Sequence, residues 1–171
     1  MIARPARPLP AAAWLGLPIA TCLLAAVFLA TPVRILGLQA PEPVFALVPA
    51  FAWALIRPSV WAPAALVVLG LCLDLLWGAP LGLWALCLLA AYGMIFIARG
   101  ILSGQDFWVL WAWYGAACAL AEGLGAVLIG ARAGHSPNLL GAGLQWAVSA
   151  ALFPFAWRLI ERYEDADIRF R

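Results

Sequence analysis

A chain of 171 residues that is 67% hydrophobic and only 11% charged is not a soluble globular domain, which runs near half apolar and a quarter charged. The net charge of +2 is too small to suggest a nucleic-acid surface and bears instead on membrane topology. At about 20 residues per span, the length allows about six crossings and no soluble module beside them. The expected class is an all-α integral membrane protein, a single polytopic domain over 1–171.

The N-terminal Arg4 and Arg7 precede an uncharged run from Pro8 to Pro32. It is longer than a secretory core and no small-x-small cleavage site closes it, so we read a retained first span over about 10–31. Arg34 and Glu42 mark a Pro-containing loop, QAPEP. Span 2, about 43–56, is PVFALVPAFAWALI and stops at Arg57-Pro58. It is only about 21 Å long at helical rise, against a hydrocarbon core of about 30 Å. It borrows flanking residues, thins the bilayer or re-enters. From Pro58 to Ala98 the only charge is Asp74, and one helix of that length overshoots a bilayer. Gly78-Ala79-Pro80 supplies turn chemistry at its midpoint, giving span 3 over about 60–77 and span 4 over about 80–98. RGILSGQD, from Arg99 to Asp106, is read as a polar connection. Span 5 is about 107–130, RAGHSPN is a loop, span 6 is about 139–157, and a charged cytoplasmic tail runs over 158–171.

With the N-terminus inside, eight arginines fall on the cytoplasmic side: Arg4, Arg7, Arg57, Arg99, Arg158, Arg162, Arg169 and Arg171. Only Arg34 and Arg132 fall outside. This positive-inside bias places both termini in the cytoplasm and fits an even number of spans. Trp61, Trp108, Trp111 and Trp157 fall near inner ends, and Trp77 and Trp84 flank an outer turn, as in an aromatic belt. In the tail, Arg158, Glu161, Arg162 and Asp165 are spaced to pair on a helix. That helix is either the last span continued into water, which we favour, or a docking site for a cytoplasmic partner.

Catalytic patterns are missing from the sequence. His135 is the only histidine, the four serines lie outside any G-x-S-x-G elbow, and no H-E-x-x-H or Cys/His cluster occurs. Cys22, Cys72, Cys87 and Cys118 all lie in apolar runs, so neither a disulfide framework nor a zinc site is expected. The expectation is a non-enzyme without cofactor or metal, and without nucleic acid as a partner.

The polar residues inside the spans remain. Asp74 lies about three residues before the outer turn. An intramembrane carboxylate is a functional candidate by default. The structural reading is that it ties the outer ends of spans 3 and 4, using donors from the Gly78–Gly82 turn or from Arg34 or Arg132. We favour the tie over proton or ion coupling. Gly70 shares the helix face of Asp74 and lets a neighbouring helix approach closely. Gly78 supplies a positive-φ turn, and Gly82 begins the return helix. Glu122 and Gln145 stand at similar depths in spans 5 and 6, which suggests a hydrogen bond between them. A protonated, hydrogen-bonded Glu122 is the structural alternative to a transport role.

The order EPVFALVPAFAWALIRP, GLCLDLLWGAPLGLWALCLLAAY and GLQWAVSAALFPFAWRLIERY resembles the MreD family of bacterial rod-shape-determining membrane proteins. The best-matching motif is G-x-x-x-D-x-x-x-G-x-x-x-G at Gly70, Asp74, Gly78 and Gly82, with Pro154 and Arg158 near the end of the last span. The resemblance covers about residues 41–163. It implies a non-catalytic, multi-pass component of the bacterial inner membrane and of the cell-elongation machinery (the elongasome). Such a component scaffolds or regulates peptidoglycan synthesis, and hence cell shape, through partners in a lipid membrane. The partners implied are MreC first, then MreB, RodA and its penicillin-binding protein. The implied fold is similar to the substrate-binding membrane subunits of energy-coupling-factor vitamin transporters. No catalytic residue carries over, and Asp74 and its glycines transfer as motif positions only. The alternative is a small-molecule carrier or vitamin-transporter subunit using Asp74, Glu122 or Trp84 as ligand contacts. A third reading, a lipid-acting intramembrane enzyme, would need a His or Asp constellation.

Overall fold

The computed structural model describes residues 16–29, 34–35, 38–39, 43–56, 59–133 and 139–168. Helices dominate: α1 (Leu17–Leu29), α2 (Leu47–Ile56), α3 (Trp61–Trp77), α4 (Leu83–Leu102), α5 (Phe107–Ala133), α6 (Leu139–Ala150) and α7 (Phe153–Ile168). The loop after α1 holds two short strands, β1 (Arg34–Ile35) and β2 (Leu38–Gln39), paired antiparallel with Arg34 opposite Gln39. Three segments are long and apolar enough to cross a membrane: Leu83–Leu102, Phe107–Arg132 and Leu140–Arg158. Residues 10–15 of the expected first span, Arg4, Arg7, Arg57, Arg169, Arg171 and His135 lie outside the described residues.

Two boundaries differ from those read in the sequence. The first half of the polar connection at Arg99–Asp106 is helix. α4 continues through Arg99 to Leu102, leaving a turn of residues 103–106. Polar side chains do not end a helix when the backbone ladder continues, and here it ends at Ser103, whose N–H reaches the Arg99 carbonyl, followed by Gly104 at φ 81°. The last span is two helices, broken at Ala151 and Leu152. The tail continues α7 as helix through Ile168, the helical continuation of the last span favoured from the sequence.

α2 explains its own shortness. Every residue from Leu47 to Ala54 is buried, so that stretch has no solvent or lipid face, and only Leu55 and Ile56 at its end are half-buried. It packs against α4 and α7 and also touches α3 and α5. Ten residues make about 15 Å of helix, half of a bilayer core. A short helix with irregular backbone before it is tolerated at membrane depth only inside protein. The backbone N–H of Val44, just ahead of α2, donates to Ser149 Oγ of α6 at 3.2 Å, which satisfies one such group.

The break between α6 and α7 is set by Pro154. Proline has no N–H, so the carbonyl four residues earlier, on Ala150, loses its helical donor. The Trp111 indole of α5 supplies the replacement, donating to Ala150 O at 3.0 Å. One turn along, the Trp146 indole of α6 donates to Gly115 O of α5 at 2.8 Å. The chain bends there, so α6 packs on α5 while α7 packs on α2. Phe153, the first residue past the bend, is fully buried. It meets Phe51, Phe107, Tyr114 and Trp157, with ring centroids 4.9–6.2 Å apart.

Candidate functional site

The Gly–Asp ladder builds the reversal between α3 and α4. α3 ends at Gly78, whose φ of 63° is left-handed and whose N–H returns to the Asp74 carbonyl. Ala79 N–H reaches the same carbonyl at 2.9 Å. Gly82 has φ 91° and caps the start of α4. Both positions favour glycine because a Cβ is strained at such φ values. The Asp74 side chain then crosses the turn. Its Oδ2 accepts from Gly82 N–H at 2.7 Å and its Oδ1 from Trp84 N–H at 2.9 Å. Asp74 is only 1% exposed. A carboxylate at a helix N-terminus meets two otherwise unpaired donors and the positive end of the macrodipole. The charge is thus matched inside the hairpin by backbone donors, the turn donors expected from the sequence, while the Arg34 side chain lies outside the described residues.

Gly70 lies one turn earlier on the same face. A Cβ there would stand 2.4 Å from both Cα and N of Ala85 and 2.8 Å from the carbonyl carbon of Trp84. The two helices therefore touch backbone to backbone beside the carboxylate, an approach open only to glycine. Trp84 is buried and packs edge-on against Trp77 at 5.1 Å. It belongs to the hairpin core rather than to an interfacial belt. Among the described residues Trp61 and Trp108 are the most exposed tryptophans, at 69% and 68%.

A second polar region lies along α5. Glu122 is 8% exposed, and neither carboxylate oxygen has a hydrogen-bond partner. The expected Glu122–Gln145 bond is not formed. Gln145 is half-buried one turn before Ser149 on α6, and it is the Ser149 hydroxyl that stands beside Glu122, without closing a bond. Depth estimated by counting residues ignores the lean of α6 and so selects the wrong turn. Tyr114, fully buried with an unpaired hydroxyl, lies beside Cys118 two turns before Glu122. Ser149 was not singled out in the sequence; its one signal was a hydroxyl facing inward four residues after Gln145.

Pro154 sits in the first turn of α7, and Arg158 is exposed on the same helix. Glu161 Oε1 accepts from the Trp157 indole at 2.7 Å. The side chains of Arg162 and Asp165 lie outside the described residues. A cavity of about 370 Å³ opens beside α1 and α2, walled by Cys22, Phe45, Val48 and Phe155. Among the described residues, no group of three or more His, Cys, Asp or Glu is placed to hold a metal ion. No family model, curated protein or solved structure matches this chain.

Proposed function

We propose that this chain is a six-span, non-catalytic component of the bacterial inner membrane that scaffolds or regulates peptidoglycan synthesis during cell elongation, with both termini cytoplasmic. The reading rests on the ordered resemblance to MreD. The observation that carries it further is the fate of the motif. Gly70, Asp74, Gly78 and Gly82 are all spent on an internal hairpin, by two carboxylate bonds and a backbone contact. A motif used to fix shape, with no reactive side chain aimed into a cleft, suits a protein that works through its surfaces. MreC is the first partner, with MreB, RodA and its penicillin-binding protein as further members of the assembly. Depletion in the native host tests the reading. Rod cells rounding as the protein falls is the expected result, and unchanged shape would contradict it.

One observation favours a second reading as a small-molecule carrier. The cavity beside α1 and α2, at about 370 Å³, lies in the size range of ligand pockets. Its walls are nearly all apolar, so it suits a hydrocarbon-like ligand better than a charged vitamin. Saturable binding of such a ligand to purified protein would support this reading.

A further inference from the structure

α1 rests chiefly on α3 and stands off from α2 and α7. The space left between them is the cavity of about 370 Å³. Its floor is closed. Cys22 and Val48 are only 7% and 8% exposed, and Pro49 is buried beside Val48 in the first turn of α2. Its rim is open, because Thr21 and Phe155 are both exposed. Phe155 belongs to Leu140–Arg158, one of the segments able to cross a membrane. In a bilayer the mouth therefore opens sideways, toward hydrocarbon.

Water has little to hold it there. A buried water needs about two to four polar partners. The two polar side chains of the wall are already spent on backbone: Thr21 Oγ1 donates to Pro18 O at 2.9 Å, and Cys22 Sγ to Phe45 O at 3.5 Å. Protein interiors are close-packed, and an empty void forfeits the dispersion contacts of its walls. The occupant is therefore apolar, and it is also narrow. A helix with its side chains is about 10 Å across, so about 370 Å³ holds less than one turn of it. An extended hydrocarbon chain fits, and every phospholipid at the mouth carries one.

We propose that a bilayer phospholipid inserts an acyl chain into this cavity, along Cys22 and Val48, as a resident lipid between α1, α2 and α7. The proposal rests on the same cavity as the carrier reading and differs from it in the source of the ligand. It does not depend on the elongation reading.

The test reconstitutes the full chain alone in vesicles of phosphatidylethanolamine and phosphatidylglycerol. A small fraction of the phosphatidylglycerol carries a carbene-generating diazirine within one acyl chain, and labelled residues are mapped by mass spectrometry after illumination. Ile97, 86% exposed on α4, reports lipid at the outer surface. The expected result is label on Cys22 and Val48 at a level comparable with Ile97, although both are buried. Ala25→Trp places an indole in the cavity wall. It should cut the label on Cys22 and Val48 several-fold and leave Ile97 unchanged. Label on Ile97 with only background on Cys22 and Val48 overturns the proposal in the wild type, without any variant. So does undiminished floor label in folded Ala25→Trp. A diazirine fatty acid added from water separates the sources. Floor label from the free acid but not from the phospholipid would support the carrier reading and overturn this one. Floor label from the phospholipid, without saturable binding of the free acid, supports the resident lipid and contradicts the carrier.

Discussion

Asp74 accepts the N–H groups of Gly82 and Trp84 at the start of α4, so Asp74→Ala strands a part-buried and a buried donor at once. Loss of charge-assisted caps predicts a destabilisation of about 2–4 kcal/mol. Asp74→Asn retains one carbonyl acceptor and should lose about half of that. Thermal unfolding in detergent separates the two variants, and equal midpoints for wild type and Asp74→Ala would refute the capping role. Gly70→Ala places a methyl 2.4 Å from the Ala85 backbone, which cannot rotate away. It should cost about 1–3 kcal/mol by forcing α3 from α4. Gly93→Ala in α4 meets nothing within 4 Å and should be neutral or stabilising by up to about 1 kcal/mol. The same unfolding assay compares them. These roles were legible in the sequence because they are local: four residues at spacing four, around Gly-Ala-Pro, define one turn. The neighbour of Glu122 was not legible, because it depends on which turn of α6 faces α5.

At the scale of elements, the decisive feature is the bend between α6 and α7. Pro154 was visible as a helix disturbance, but the remedy lies on another helix, in Trp111. Trp111→Phe leaves the Ala150 carbonyl unpaired and should cost about 1–2 kcal/mol. In a Pro154→Ala background, residue 154 regains an N–H that can bond that carbonyl, so the same change should cost less. A double-mutant cycle should give a coupling of at least about 0.5 kcal/mol. Strict additivity would show that the indole bond does not serve the proline break. α2 carries the complementary lesson. Its shortness was plain from PVFALVPAFAWALI, but its enclosure on every side was not. An apolar segment reads alike whether lipid or protein surrounds it, and only the packing of α3, α4, α5 and α7 decides between them.

For the whole molecule, helicity and membrane-spanning length in three segments follow from composition and run length. What the chain assembles with depends on surfaces. Its outer face carries large apolar side chains such as Ile97, Ile101, Leu81 and Val127, each more than 60% exposed. In a membrane protein these meet lipid or other helices, and the sequence does not distinguish the two. The central claim is that the chain serves as a partner-binding component of the elongation machinery. Affinity purification of the tagged chain from its native membrane in mild detergent, with identification of co-eluting proteins, tests it most directly. The account predicts that MreC co-purifies with the wild type at a stoichiometric level. Recovery of the intact, folded chain without MreC or any other elongation protein would contradict it.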